Sequence, residues 1–122
     1  MAGNALLHAA AILDAIGVER GMHLADFGVG RTAHFAFPAA RRVGSEGVVY
    51  AVDIHPDSLS MVEGHRKLHA QTNLETVWGD IERYGGVDIP AGSLDIILIV
   101  STLWQARGHR DIAQEANRLI RT

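Results

Sequence analysis

The chain has 122 residues, of which 48% are hydrophobic and none is cysteine, and its formal net charge is −3. Length and composition favour one folded domain over residues 1–122 and exclude a disordered chain, disulfide bonds and thiolate metal sites. The charge gives no reason to expect nucleic acid or an anionic membrane as a partner, and no apolar run reaches the roughly 20 residues of a membrane span. We therefore expect a cytoplasmic protein.

Helices and strands alternate along the predicted chain after one N-terminal helix. Predicted helices cover residues 4–16, 31–43, 56–71 and 109–121, and predicted strands cover residues 22–27, 47–52, 74–79 and 94–100. Because strand–helix alternation produces right-handed crossover connections, the pattern predicts an α/β fold with a mainly parallel sheet of four strands and flanking helices. The last strand is the most apolar and is expected to be buried on both faces. The helix over residues 56–71 is expected to direct Leu59, Val62 and Leu68 toward the core.

A glycine turn follows the first predicted strand. Asp26 is the one charged residue in that apolar run, and Gly28 and Gly30 remove side chains where the chain turns sharply and approaches another group. A helix N-terminus after such a turn offers free N–H groups and a positive dipole end, which suits an anionic or nucleotide-like ligand. Pro38 lies inside the predicted helix, which therefore either begins near Pro38 or kinks there.

The second predicted strand ends in Asp53. An acidic side chain at this position of an open α/β sheet lies beside the first loop and can accept both ribose hydroxyls of an adenosine group. The alternative role is a cap for the helix that begins near Pro56, which Asp57 and Ser58 would serve equally well. We favour the ligand role.

Polar residues also follow the other two predicted strands, Asp80 after the third and Ser101 after the fourth. In parallel sheets, ligands bind beyond the carboxyl ends of the strands. We therefore expect Asp26, Asp53, Asp80 and Ser101 to share one edge of the sheet.

The spacing of the histidines indicates neither a metal site nor a particular catalytic base. His65 and His69 are four residues apart on one helix face, a spacing that can bind a metal ion, but no third ligand accompanies them. A solvated helix face is the better interpretation. Of the others, only His34 lies close to the glycine turn, and the sequence does not identify which residue, if any, acts as a catalytic base.

Four segments in order resemble the successive motifs of class I S-adenosylmethionine-dependent methyltransferases. They are residues 25–30 (ADFGVG), 49–56 (VYAVDIHP), 78–81 (WGDI) and 93–98 (SLDIIL), and the resemblance runs from about Met22 to the last helix. It implies a Rossmann-like three-layer sandwich with strand order 3-2-1-4 and S-adenosylmethionine as the cofactor. It also implies methyl transfer to an acceptor that the sequence does not identify.

The resemblance assigns each matching residue a role in cofactor binding. Asp26, Gly28 and Gly30 would hold the methionine moiety, and Asp53 would bind the ribose hydroxyls. The remaining positions concern the adenine and the methyl group: Ile54 and Ile81 would sandwich the adenine, Asp80 would bind its amino group, and Ser101 would line the methyl-transfer side.

The chain departs from the family in two places. Arg31, Thr32 and Ala33 follow Gly30 where the family has a third glycine, so a positive charge is expected near the cationic sulfonium. The family's sheet has seven strands, whereas only four are predicted here. Because the 94–100 strand would then form an open, apolar edge, we expect the polypeptide to self-associate, most simply as a homodimer.

Two alternative functions remain. Residues 28–33 match G-x-G-x-x-G/A with Asp53 some 25 residues on, which is also the pattern of an NAD-binding domain. Against NAD stand Asp26, which would repel a pyrophosphate, and Asp80, for which NAD offers no partner. The other alternative is a non-catalytic module that binds the cofactor or serves in assembly. We favour the methyltransferase.

Overall fold

The computed structural model describes residues 2–30, 33–99 and 108–122 of the protein, and the side chains of these residues from position 8 onward. The helices are α1 (Ala2–Ile16), α2 (Ala36–Val43), α3 (Pro56–Leu68) and α4 (His109–Leu119). The strands are β1 (His23–Phe27), β2 (Val48–Asp53), β3 (Leu74–Trp78) and β4 (Ile96–Leu98). Every predicted element is present, with ends that differ by a few residues.

The four strands form one sheet in the order β3-β2-β1-β4, and every neighbouring pair is parallel. In this register Asp26 lies between Ala51 of β2 and Leu98 of β4, and Asp53 lies beside Trp78 of β3. The predicted strand order and parallel sheet are therefore confirmed, and the carboxyl ends of β1, β2 and β3 lie at one edge.

Helices cover both faces of the sheet. Successive residues of β1 alternate between two apolar clusters, since Leu24 joins one and Ala25 and Phe27 join the other. The first cluster includes buried residues of α1, α2 and α3, and the second includes Ile112 and Leu119 of α4. This arrangement confirms the predicted three-layer sandwich. Among the described residues, no helix is long and apolar enough to cross a membrane.

Helix α2 begins at Ala36 and not at residue 31. Pro38 is buried in its first turn, where the missing proline N–H leaves no intrahelical bond unmade. The first of the two alternatives for Pro38 is thus confirmed. The N-terminus of α2 is consequently six residues beyond Gly30.

The core face of α3 differs from prediction at its end. Val62 is buried and Leu59 packs against the first cluster, as expected, but Leu68 is 77% exposed. A separation of six residues places Leu68 roughly 120° around the helix from Val62. The expectation that Leu68 lies in the core is therefore wrong.

The predicted strand over residues 94–100 is shorter and less buried than expected. Its regular part is β4, in which Ile96 and Ile97 are only half-buried. Leu94 pairs instead with Ile120 after α4: its N–H donates to Leu119 O (2.9 Å), and its carbonyl accepts from Arg121 N–H (2.8 Å). Complete burial of both faces is therefore a wrong prediction. Among the described residues the predicted open edge holds for β4, which pairs with β1 alone, but not for Leu94, where the segment after α4 pairs.

Candidate cofactor-binding site

The glycine turn folds over the end of β2. The N–H groups of Gly28 and Val29 both donate to the Val52 carbonyl, at 2.8 and 3.0 Å. Gly28 and Gly30 have φ angles of +76° and +70°, in the left-handed region that side chains disfavour. The two glycines therefore allow the loop to cross directly over the neighbouring strand.

Asp53 joins the loops after β1 and β2. Its side chain is 6% exposed; Oδ2 accepts from Gly30 N–H (3.1 Å) and Oδ1 accepts from His55 N–H (2.9 Å). His55, and not Asp53, occupies the N-cap position of α3, so the alternative role as a helix cap is wrong. Each carboxylate oxygen keeps further acceptor capacity, so both can still accept from two neighbouring hydroxyl groups.

Asp26 is a carboxyl group buried beside another carboxylate. The residue is 5% exposed. Burial, with a further contribution from the negative charge of Asp53, raises the pKa of Asp26 to about 7. A buried carboxylate is costly unless an opposite charge pairs with it. This position therefore suits a cationic group of a ligand.

The loop after β3 is attached to the same edge. Gly79 N–H donates to the Asp53 carbonyl (3.1 Å), and the half-buried Asp80 accepts a hydrogen bond from Glu82 N–H at Oδ1 (2.9 Å). Ile81 is buried against the second cluster, whereas Ile54 is 45% exposed. The two isoleucines thus differ: Ile81 is part of the core, and Ile54 presents apolar surface to solvent.

Sequence reasoning missed Trp78. This residue ends β3, is 60% exposed and donates from Nε1 to the Ile54 carbonyl at 2.8 Å. Its indole thereby fixes the backbone on which Ile54 lies and extends the apolar surface next to Asp53. Its position in the last residue of a strand, directly before Gly79, was the available signal.

The structure brings together most of the predicted site residues. Asp26, Gly28, Gly30 and Asp53 meet at the ends of β1 and β2, and Asp80 follows on the adjacent loop. Ser101 lies outside the described residues.

The loop that departs from the family is described only in part. Arg31 and Thr32 also lie outside the described residues, while Ala33 is buried with φ at +50°. His65 and His69 are exposed on α3 with stacked rings 6.3 Å apart, as predicted for a solvated face, and His34 is exposed.

Residues 18–122 match the sequence profile of a family described as methyltransferase domain. Aklanonic acid methyltransferase DauC of Streptomyces sp. (strain C5) is 28% identical over 103 residues, which cover 81% of this chain and 46% of DauC. The chain thus spans about half the length of this curated relative.

Solved structures share the fold. A SAM-dependent methyltransferase from Aquifex aeolicus superposes with a TM-score of 0.83 at 19% identity, over 93% of this chain and 58% of its own. Coclaurine N-methyltransferase, bound to N-methylheliamine and SAH, superposes with a TM-score of 0.83 at 15% identity, over 97% of this chain and 33% of its own. The chain belongs to the methyltransferase domain family and has the fold of class I S-adenosylmethionine-dependent methyltransferases.

Proposed function

We propose that the protein binds S-adenosylmethionine at the carboxyl ends of β1, β2 and β3 and takes part in transfer of its methyl group to an acceptor. The observation that carries this proposal is the pair of buried carboxyl groups, Asp26 and Asp53, on either side of the glycine turn. Asp26 suits a cationic group, and Asp53 suits a pair of hydroxyl groups. S-adenosylmethionine carries both features.

The described residues fit the parts of this cofactor. Asp53 would bind the ribose hydroxyls while keeping its bonds to the two loop N–H groups, and Asp26 would face the cationic methionine end. Ile54 would contact one face of the adenine, and Ile81, which is mostly buried in the core, would contact the other face with its small exposed part. Asp80 would lie at the adenine edge. When bound, the cofactor would supply a methyl group on a positively charged sulfur. The protein's part in such a displacement is mainly positioning.

The same geometry disfavours NAD. A dinucleotide fold uses the free N–H groups of the glycine turn and the following helix N-terminus to bind a pyrophosphate. Here Gly30 N–H already donates to Asp53, and α2 begins only at Ala36. A pyrophosphate at the turn would also lie beside the carboxylate of Asp53 and the buried carboxyl group of Asp26, neither of which donates a hydrogen bond when charged.

Calorimetry with S-adenosylmethionine, S-adenosylhomocysteine and NAD, run in parallel, tests this assignment. We expect heat of binding from the first two ligands and none from NAD. Binding of NAD together with no response to the other two would overturn the cofactor assignment.

We further propose that the 122-residue polypeptide self-associates. Within the described part of the chain, residues 96–98 pair with β1 on one side only, and the pairing with Ile120 covers the other side at Leu94 alone. An apolar strand edge of this kind can pair with a second copy.

Light scattering is expected to show a mass above the 13.2 kDa monomer at tens of micromolar. The Ile97→Lys variant, if circular dichroism shows that it is folded, should have the mass of a monomer. A monomer for the unaltered chain at that concentration would contradict the proposal.

A further inference from the structure

Helix α4 contains a fully buried carboxylate that belongs to no part of the site described above. Glu115 is 0% exposed, and its side chain reaches the loop after β3, where Oε1 accepts from Gly85 N–H (2.7 Å) and Oε2 accepts from Val87 N–H (3.0 Å). Both oxygens therefore bind the backbone of one short segment, residues 85–87.

Arg118 completes this contact. Its Nε donates to Glu115 Oε1 (2.8 Å), and its Nη2 donates to Glu115 Oε2 (2.6 Å) and to the Val87 carbonyl (2.8 Å). Burial raises the pKa of Glu115, but the hydrogen bonds from Arg118, Gly85 and Val87 outweigh it and leave the pKa below its usual value. Glu115 is consequently charged at neutral pH, with its hydrogen bonds directed at the loop and at Arg118.

The segment held by Glu115 is joined directly to Asp80. Asp80 N–H donates to the Gly86 carbonyl (3.2 Å), and Gly86 N–H donates to the Arg83 carbonyl (2.8 Å). A β-carbon on Gly86 would collide with the Asp80 carbonyl oxygen, and one on Gly79 would lie 2.8 Å from the Gly86 carbonyl oxygen. The loop is thus closed tightly enough that movement at residues 85–87 would move Asp80.

A second connection runs from α4 to the Asp80 side chain. Glu82 N–H donates to Asp80 Oδ1 (2.9 Å), and the Glu82 carboxylate accepts from Gly108 N–H (2.8 Å) just before α4 begins. The helix therefore holds the Asp80 loop at two places, through Glu115 and through Glu82.

We propose that Glu115 is a positioning residue for cofactor selectivity: by holding residues 85–87 it fixes the Asp80 carboxylate where it accepts a hydrogen bond from the amino group of the adenine. This inference rests on the proposed function and goes beyond it, because Glu115 touches no part of the cofactor. Its loss should therefore lower the preference for adenine over a base without the amino group.

Calorimetry with S-adenosylhomocysteine and S-inosylhomocysteine measures that preference. The unaltered protein should prefer the adenosyl compound by roughly 10-fold or more, the effect of one hydrogen bond to a charged group. Glu115→Gln places an amide where two N–H donors need acceptors, so we expect most of this preference to disappear. Arg118→Lys, a milder change that keeps the charge, should lower it less.

Two controls separate positioning from general loss of stability. Leu13→Ala removes core volume from α1, so it should lower the melting temperature while leaving the adenosyl-to-inosyl ratio unchanged. Asp80→Asn should lower the ratio as Glu115→Gln does, and the double variant should lower it no further.

The outcomes are distinguishable. If the unaltered protein binds neither nucleoside, the proposed function fails and this inference fails with it. If it binds S-adenosylhomocysteine selectively and both Glu115→Gln and Arg118→Lys keep the full ratio, Glu115 does not position Asp80 and only this inference is overturned.

Discussion

Replacing Asp26 with asparagine is expected to remove the pH dependence of S-adenosylhomocysteine binding near neutrality. The pKa of Asp26 is about 7 because the carboxyl group is buried and lies near the charge of Asp53. The ammonium group of the homocysteine moiety, placed beside Asp26, would favour the charged carboxylate. Binding should therefore lower the pKa of Asp26 and release a proton. Affinity should therefore rise as the pH increases through 7 and should fall below it.

The expected change in the unaltered protein is roughly 10- to 100-fold in affinity between pH 5.5 and pH 7.5. Calorimetry in buffers of different ionisation enthalpy would count the released proton. Asp26→Asn should bind more weakly and with a flat profile over this range. Asp14→Asn is a matched control, because Asp14 is an exposed carboxyl group on α1, paired with Arg42. A flat profile in the unaltered protein would contradict the role of Asp26.

The raised pKa of Asp26 also predicts how the stability of the ligand-free protein depends on pH. Since the pKa of Asp26 rises from 3.8 to about 7 on folding, the folded state binds its proton more tightly than the unfolded chain does. This contribution to the free energy of unfolding is fully present below pH 3.8 and is lost as the pH rises to 7. Above pH 7, Asp26→Asn should therefore be more stable than the unaltered protein, by on the order of 4 kcal/mol in the free energy of unfolding. Thermal melts at several pH values would measure the difference.

The second large effect is expected for Asp53→Ala. The change removes charge-assisted hydrogen bonds to the ribose, worth about 1.5–3 kcal/mol, or roughly 10- to 200-fold in affinity for S-adenosylhomocysteine. It also leaves the N–H groups of Gly30 and His55 without their acceptor. The fold should survive, because the residue lies at the end of a strand.

Comparison of 5′-methylthioadenosine with its 2′-deoxy analogue would show whether the loss concerns the ribose. The unaltered protein should prefer the ribose compound, and Asp53→Ala should not. Asp57→Ala is the control, since Asp57 is an exposed acid in the first turn of α3. Equal affinity of Asp53→Ala and the unaltered protein for S-adenosylhomocysteine would refute the assignment of Asp53.

Sequence alone predicted the parts of the fold that depend on local patterns. Apolar runs locate β1 and β2 within one residue, because a strand buried on both faces has little room for polar side chains. The edge strand β3, in which Glu75 and Trp78 are exposed, is located equally well. The positions of Asp26 and Asp53 follow, since Asp26 is the residue before the end of β1 and Asp53 ends β2. The glycines at 28 and 30 identify the turn for the same local reason.

The remaining features depend on contacts between distant parts of the chain. Nothing near Glu115 in sequence indicates that it binds Gly85 and Val87, which are 30 and 28 residues away. Likewise, Leu94 is covered by the segment around Ile120, which no periodicity of either segment predicts. The sequence predicted correctly that Asp53 lies at the strand end. It did not predict the two hydrogen bonds from loop N–H groups, because these depend on how the glycine turn folds over β2.

The most direct test of the central claim is a two-dimensional ¹H–¹⁵N spectrum of the protein during titration with S-adenosylhomocysteine. We predict the largest shifts at the amides of Gly28, Gly30 and His55, which lie around Asp26 and Asp53, and at the amide of Glu82, which donates to Asp80. The amides of Leu13 and of the exposed histidines on α3 should stay in place. No shift at saturating ligand, or shifts centred on α3 with the glycine turn unchanged, would contradict the site.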